Sequence, residues 1–140
     1  MWLIHHLLRF KIFRQFVKFS LVGVFNTFID FGVYFILTRF LGLYYIIANL
    51  IANLIALTFS FFVNKKWTFR NKNNKVKEQY LKFFTVYIAY LLLYNLIFIA
   101  ATHYLSQFKI GESDLWAKVI ATIICLFWNF LANRFWTFRY

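Results

Sequence analysis

The chain has no proline, one cysteine, four glycines and four acidic residues among its 140 residues. The single cysteine, Cys125, excludes a disulfide within the chain and lies in an apolar run, where it is expected to be a small core residue. The acidic residues are scattered, and the sequence has no serine, histidine and acid set, no metal-ligand spacing and no glycine-rich phosphate loop. These absences argue against an enzyme and against a bound metal or cofactor.

What the chain does contain is predominantly apolar. Hydrophobic residues make up 63% of it, aromatic residues make up 25%, and the mean hydropathy is +0.65, all of which are unlike a soluble domain of this size. The apolar runs predict four membrane spans, at about residues 17–38, 44–63, 83–104 and 115–132, in a single membrane domain over 1–140. Because a lipid-exposed strand would leave its backbone unpaired, all four spans are expected to be helices.

One motif occurs twice, and each copy closes an apolar run. Residues Asn64–Arg70 read NKKWTFR and residues Asn133–Arg139 read NRFWTFR, 69 positions later. This duplication predicts an all-α membrane protein built from two repeats of two helices each. At the same offset, Asn26 in the first span is expected to match Asn95 in the third, so that each repeat contributes an amide at an equivalent depth.

The formal net charge of +12 is concentrated on one side of the predicted spans. Thirteen basic residues precede the first span, separate the second from the third, or follow the fourth: Arg9, Lys11, Arg14, Lys18, Lys65, Lys66, Arg70, Lys72, Lys75, Lys77, Lys82, Arg134 and Arg139. The other two loops carry only Arg39 and Lys109. The positive-inside rule therefore places both termini and the middle loop in the cytoplasm, and both repeats enter from the same side as parallel repeats.

The location of these charges also indicates the partner that they attract. Because they lie in loops between apolar spans, anionic lipid headgroups are the expected partner rather than nucleic acid. The segment 1–18 mixes basic and apolar residues and lacks a cleavage site of small residues. It is predicted to be a retained amphipathic helix that lies on the membrane surface.

The second and fourth spans carry matching stripes of small and polar residues. The spacings of three and four place each set on one helix face; the sets are Asn49, Asn53, Ala56, Ser60 and Asn64 in the second span, and Lys118, Thr122, Cys125, Asn129 and Asn133 in the fourth. Two interpretations stay open. The stripes either pack the helices and form hydrogen bonds across the bundle, or they line a polar groove.

Two ionisable residues lie within the spans, Asp30 in the first and Lys118 in the fourth. A charge at membrane depth costs several kcal/mol unless it is paired or hydrated, so such residues are expected to be functional. The sequence predicts that the two residues pair with each other. For Lys118, which is near the predicted outer boundary, the alternative is that its side chain extends to the interface.

The basic ends of the two repeats also allow two interpretations. Lys65 and Lys66, together with Arg134 from the second copy, are placed to encircle a phosphate at the inner headgroup level. Basic residues and tryptophan also flank the spans of ordinary membrane proteins, where they serve as lipid anchors.

Several segments together carry a family resemblance: Phe19–Gly23, Asn26 and Thr27, Asp30, Ala48 and Asn49, Phe61–Phe69, Trp116–Lys118, Asn129 and Phe130, and Asn133–Phe138. In this order they resemble the GtrA-like family, and the likeness extends from about Phe16 to Phe138. The resemblance implies a small four-span protein of the bacterial inner membrane that serves cell-surface polysaccharide synthesis, such as O-antigen glucosylation or teichoic-acid decoration. It implies translocation of a polyprenyl-phosphate monosaccharide, with membrane glycosyltransferases as partners.

Such a cargo suggests roles for eleven residues. We expect Lys65, Lys66 and Arg134 to attract the phosphate, Lys118 to receive it near the outer face, and Asp30 to hold Lys118 when the site is empty. The amides that would bind the moving headgroup are Asn26, Asn49, Asn53, Asn64, Asn129 and Asn133. Four helices are few to enclose a sugar phosphate, which also suggests a homo-oligomer or a complex.

Two other functions fit parts of the pattern. A subunit that binds the lipid or scaffolds glycosyltransferases would need the same membrane domain without moving the lipid. A small-molecule exporter coupled to protons is suggested by four spans and a lone intramembrane carboxylate, although the charge bias and the family motifs argue against it.

Overall fold

A computed structural model describes residues 2–108 and 113–139, with side chains described for 10–108 and 115–139. Lys109 and the side chains of His5, His6 and Arg9 lie outside that description. The described elements are α1 (Trp2–Arg39), α2 (Tyr45–Val63), the π-helix π1 (Asn64–Thr68), α3 (Val76–Gln107), α4 (Ser113–Ala132) and the π-helix π2 (Asn133–Thr137). The predicted all-α fold is confirmed.

The chain divides into two compact units, Met1–Asn74 and Lys75–Tyr140. The single membrane domain expected over 1–140 stays a prediction. Each unit has the same order of elements: two long α-helices, the second of which continues into a π-helix. In the first unit α1 packs on α2 and π1, and in the second unit α3 packs on α4 and π2. The motif found twice in the sequence is the π-helix of each unit.

Four helical segments within the described ranges are long and apolar enough to cross a membrane: Phe10–Arg39, Tyr45–Thr68, Val76–Gln107 and Leu115–Thr137. They contain the four predicted spans almost completely. This chain is therefore a multi-pass membrane protein.

The start of the chain differs from the prediction. The amphipathic segment is not a separate element, because α1 runs without interruption through 38 residues from Trp2 to Arg39. Neither proline nor glycine occurs before Gly23, so nothing in the sequence breaks the helix at the edge of the first span. At a rise of 1.5 Å per residue α1 is about 57 Å long, whereas the hydrocarbon core is about 30 Å thick, so α1 extends well beyond the bilayer.

Polar side chains within the helices are largely satisfied by the helix backbone. The hydroxyls of Ser20, Thr27, Thr58 and Thr85 each donate to the carbonyl oxygen four residues earlier, at 2.8–3.1 Å. This local bond removes an unpaired hydroxyl from an apolar medium. The backbone of their own helix thus satisfies these hydroxyl donors within a membrane helix.

The packing of each unit defines how α1 corresponds to α3. The ring of Phe19 lies 6.1 Å from that of Phe69 in the first unit, and the ring of Phe83 lies 6.0 Å from that of Phe138 in the second. Phe69 and Phe138 are the same position of the repeated motif, so Phe83 is the counterpart of Phe19, only 64 positions later. The buried residues follow this register: Gln15, Phe19 and Val22 in α1, and Gln79, Phe83 and Val86 in α3.

This register corrects the match of Asn26 with Asn95. The counterpart of Asn26 is Tyr90, and the counterpart of Asp30 is Tyr94. The offset of 69 holds for α2 and α4 but not for α1 and α3, because the second unit has five more residues between Thr102 and Ala117 than the first has between Thr38 and Ala48. Asn26 of α1 therefore has no amide at the equivalent position of α3.

The buried face of α2 includes a row of small residues besides Leu57 and Phe61. Ala48, Ala52 and Ala56 are at most 1% exposed, and their counterparts in α4, which are Ala117, Ala121 and Cys125, are fully buried. Small residues allow membrane helices to approach closely. The packing interpretation of the predicted stripes therefore applies to Ala56 and Cys125.

Candidate functional site

The π-helix of the first unit is held together by a chain of buried side-chain hydrogen bonds. The Asn64 amide nitrogen donates to Ser60 Oγ at 3.2 Å, and the Thr68 hydroxyl donates to Asn64 Oδ1 at 2.8 Å. The Phe69 backbone N–H then donates to the Asn64 carbonyl oxygen at 2.9 Å, five residues earlier. Asn64 is only 1% exposed, so its amide supports the π-helix from within the unit.

The second π-helix has the same backbone but a different set of side-chain bonds. The Phe138 N–H donates to the Asn133 carbonyl oxygen at 2.8 Å, and the Asn133 amide nitrogen donates to Asn129 Oδ1 at 2.8 Å and to the Asn129 carbonyl oxygen at 2.9 Å. The Thr137 hydroxyl is buried and has no hydrogen-bond partner among the described residues. Single π-helical turns within α-helices often mark functional sites. Sequence analysis did not identify either one.

Lys65 is buried, and its ammonium forms hydrogen bonds within its own unit. Its side chain is 7% exposed, and its ammonium donates to Asn71 Oδ1 at 2.9 Å and to the Asn73 carbonyl oxygen at 2.7 Å. Asn71 Oδ1 also accepts the Asn73 N–H at 3.0 Å. The ammonium therefore fixes the segment that follows π1, where Arg70 has a left-handed φ of 50°.

The other predicted cations at the basic ends are accessible. Lys66 is exposed, and Arg134, the counterpart of Lys65, is partly exposed with its guanidinium 5.6 Å from the ring centre of Phe135. The first unit adds one cation to this set. Lys18 of α1 places its ammonium 4.8 Å from the ring centre of Trp67 and 3.5 Å from the Trp67 carbonyl oxygen.

Asn26 and Asp30 lie one helical turn apart on α1, within the first span. Both side chains are partly buried, and Asn26 Oδ1 and Asp30 Oδ1 are each buried without a hydrogen-bond partner among the described residues. An unpaired buried acceptor costs roughly 1–3 kcal/mol, and more when it is charged. The two oxygens are thus buried acceptors whose hydrogen-bonding capacity is not used by the described residues.

The same positions of the second unit carry aromatic residues. Tyr90, Tyr94 and Phe98 follow one another at intervals of four residues, with ring centres 6.0 Å and 6.4 Å apart. The rings of Tyr94 and Phe98 are nearly parallel, at 8°. The two units therefore differ where α1 has its amide and carboxylate: one presents polar acceptors and the other an aromatic row.

The remaining predicted residues lie along α2 and α4. Asn49 and Lys118, which occupy equivalent positions, are exposed, whereas Asn53 and Asn129 are partly buried. The Asn53 amide nitrogen donates to the Asn49 carbonyl oxygen at 2.9 Å. Asp30 belongs to the first unit and Lys118 to the second, and their pairing stays a prediction.

Five of the eleven predicted residues fall into two groups. Asn64 and Lys65 are bonded within π1 and the loop that follows it, and Asn133 holds the other π-helix. Asn26 and Asp30 share one face of α1, and each has a buried oxygen without a hydrogen-bond partner among the described residues. Sequence analysis counted Lys18 among the basic residues but gave it no role in the site. Its only signal in the sequence is its position four residues after Arg14 on the same helix.

Comparison with known proteins identifies the family. "Uncharacterized membrane protein YngA" of Bacillus subtilis is 35% identical over 126 residues, which are 86% of this chain and 77% of that protein. Two proteins named "Cell wall teichoic acid glycosylation protein GtcA", from Listeria innocua and Listeria monocytogenes, are each 27% identical over 123 residues, which are 88% of this chain and 83% of theirs. The family model described as "GtrA/DPMS, transmembrane domain" matches residues 18–138, both π-helices included, and the chain belongs to that family.

Proposed function

We propose that this protein moves a polyprenyl-phosphate monosaccharide across the bacterial inner membrane, for the glycosylation of a cell-surface polymer such as teichoic acid. The observation that carries the proposal is the family match over residues 18–138, together with relatives named for cell wall teichoic acid glycosylation. A lipid-linked sugar has an anionic phosphate, several hydroxyls and a tail that stays in the bilayer. The residues of this chain offer a complementary group to each of the polar parts.

The hydroxyls of the sugar are the groups that cross the apolar core at greatest cost. Asn26 Oδ1 and Asp30 Oδ1 are buried acceptors without partners among the described residues, which supports a role in accepting hydrogen bonds from the sugar. Asn49, Asn53 and Asn129 offer further amides along α2 and α4. These residues would replace the water that the headgroup loses on entering the membrane.

The phosphate requires cations at both ends of its path. Lys66 and Arg134 are the accessible members of the predicted cytoplasmic set, and Lys118 is the cation on α4 that would receive the phosphate near the outer face. For Asn64, Lys65 and Asn133 we propose a supporting role instead of contact with the cargo. Their bonds to neighbouring groups suit them to holding the π-helices and the adjoining loop in place.

In this function the protein breaks no covalent bond and acts without a cofactor. Its proposed partners are the membrane glycosyltransferases that make and use the lipid, and anionic lipids at the inner face. A homo-oligomer would supply additional walls around the headgroup.

The test is transbilayer movement of a polyprenyl-phosphate hexose in proteoliposomes, with Asp30→Asn and Lys118→Ala compared with the wild type. Both substitutions are expected to slow movement by tenfold or more, because each removes a charge that contacts the headgroup, and a charge-assisted hydrogen bond contributes about 1.5–3 kcal/mol. Asn95→Ala is the matched control, since Asn95 is an exposed amide on α3 at a position equivalent to Phe31. Its rate should stay within about twofold of the wild type.

Two results would contradict the proposal. If the wild-type protein binds the lipid but does not move it, the protein is a subunit that binds the lipid or scaffolds its enzymes. If the Lys118→Ala protein unfolds in detergent, Lys118 supports the fold instead of the cargo.

A further inference from the structure

The basic ends of the two units differ in charge at two equivalent positions. In the register set by the contacts of Phe19 and Phe83, Lys18 of α1 corresponds to Lys82 of α3. In the same register Arg14 corresponds to Glu78. One turn of helix thus carries two cations in the first unit, and a cation with a carboxylate in the second.

In the second unit Lys82 is paired with a carboxylate. The Lys82 ammonium lies 2.7 Å from Glu78 Oε1, and the Lys75 ammonium lies 3.8 Å from Glu78 Oε2. The Glu78 carboxylate is therefore shared by two ammonium groups of its own unit. An anion that approached Lys82 would have to displace a carboxylate that is already bound.

In the first unit the lysine has no carboxylate to pair with. Asp30 is the only acidic residue before Glu78 in the sequence, and it lies 12 residues beyond Lys18, about 18 Å along α1. Arg14 is exposed one turn before Lys18, and like charges at this spacing repel each other. Lys18 is held over the indole of Trp67, at 4.8 Å from its ring centre, rather than in a salt bridge.

We infer that the basic end of the first unit is the binding site for the phosphate of the lipid-linked sugar, with Lys18 and Arg14 as its cations and Trp67 as the surface for the sugar ring. This inference rests on the proposed function. The corresponding turn of α3 in the second unit, where Glu78 occupies the place of an anion beside Lys82, does not bind the lipid phosphate.

The chemistry of the cargo matches this arrangement. A phosphate that accepts charge-assisted bonds from two cations also relieves their mutual repulsion. The sugar is attached directly to that phosphate, and Trp67 is 43% exposed beside Lys18, so the C–H face of a pyranose can pack on the indole. The headgroup of a bulk anionic phospholipid lacks that ring.

The experiment measures binding of a polyprenyl-phosphate hexose to the full chain in nanodiscs of zwitterionic lipid, with sugar-free polyprenyl phosphate and phosphatidylglycerol as competitors. Lys18→Gln is expected to weaken binding about tenfold, whereas the matched variant Lys82→Gln leaves it within about twofold. Lys18→Arg keeps the charge and should bind like the wild type. This comparison separates loss of the site from loss of the fold. Arg14→Glu, which gives Lys18 the partner that Lys82 has, should weaken binding as much as Lys18→Gln.

Two further variants test the asymmetry and the sugar surface. Glu78→Arg, which recreates the first unit's pattern in the second, is expected to raise the number of lipids bound per chain. Trp67→Leu should weaken binding of the hexose form more than binding of the sugar-free form.

Equal losses in Lys18→Gln and Lys82→Gln, or no loss in either, would overturn the inference, as would equal competition by phosphatidylglycerol. The proposed function fails separately, when the lipid binds at Lys18 as expected but proteoliposomes do not move it. Movement that survives Lys18→Gln unchanged would overturn the site and leave the function in place.

Discussion

Thr68 and Thr137 occupy the same position of the repeated motif and are equally buried, at 2% exposure each. Their hydroxyls differ in one respect. The Thr68 hydroxyl donates to Asn64 Oδ1 at 2.8 Å, whereas the Thr137 hydroxyl has no partner among the described residues. Substitution by valine removes the hydroxyl and keeps the shape of the side chain, so the pair Thr68→Val and Thr137→Val isolates the contribution of that one bond.

We expect Thr68→Val to lower the free energy of unfolding and Thr137→Val to leave it unchanged or raise it. Thr68→Val removes a buried hydrogen bond and leaves Asn64 Oδ1 without its donor, which costs about 1–3 kcal/mol. Thr137→Val removes a hydroxyl whose burial without a bond already costs about 1–3 kcal/mol, so it should leave stability unchanged or raise it. The two variants should therefore differ by about 1 kcal/mol or more.

Reversible unfolding in mixed detergent micelles measures the difference directly. Hydrogen exchange at two backbone amides then shows whether the effect is local: the Phe69 N–H donates to the Asn64 carbonyl oxygen at 2.9 Å, and the Phe138 N–H donates to the Asn133 carbonyl oxygen at 2.8 Å. Thr68→Val should speed exchange at Phe69, and Thr137→Val should not speed exchange at Phe138. Equal destabilisation by the two substitutions would refute the role given to the Thr68 bond in holding the π-helix.

Two further predictions concern the segment after π1 and the orientation of the chain. Lys65→Met should speed hydrogen exchange at the Asn73 amide, because the ammonium no longer holds Asn71 and Asn73, whereas Lys66→Met should leave that amide unchanged; equal effects would show that the buried ammonium does not order the segment. Orientation can be tested in a Cys125→Ser background with a maleimide that cannot cross the membrane. Added outside intact cells, it should label Leu41→Cys and not Asn73→Cys, because the charge bias places the middle loop in the cytoplasm. Labelling of Asn73→Cys would reverse the predicted orientation.

The helices were predictable from hydropathy because each span is a long apolar run with basic residues at its ends. The ends of α2 and α4 at Val63 and Ala132 agree with the predicted ends of the second and fourth spans, since the repeated motif marks them. The length of α1 was missed because the change from basic to apolar residues was taken as a boundary, whereas an α-helix continues through such a change when no proline or glycine interrupts it.

The register between α1 and α3 could not be obtained from the motif. The motif lies in α2 and α4, and its offset applies to α1 and α3 only when the connections have equal lengths, which they do not. The π-helices were not predicted either. Their bonds to the fifth residue back are accompanied by side-chain contacts such as that of Thr68 with Asn64, and no residue propensity indicates such contacts in advance.

The candidate site residues were chosen by residue type, and residue type does not specify the contacts that a side chain makes. Asn26 and Asp30 were selected as polar groups at membrane depth; each has a buried oxygen without a hydrogen-bond partner among the described residues, and their binding role stays a prediction. Lys65 was selected for its charge, but its ammonium is used within the unit. Charge alone does not distinguish a lysine that binds a phosphate from one that caps a loop, because the difference depends on acceptors six and eight residues later in the chain.

The most direct measurement is transbilayer movement of a polyprenyl-phosphate hexose by the wild-type chain alone, in vesicles with the lipid in both leaflets and a sugar-modifying reagent outside. Protein-free vesicles should expose only their outer-leaflet lipid. Vesicles with the protein should expose nearly all of it, at a rate that rises with the number of protein copies per vesicle. A modified fraction that stays at the protein-free level, while the reconstituted protein binds the lipid, would contradict the proposed translocation.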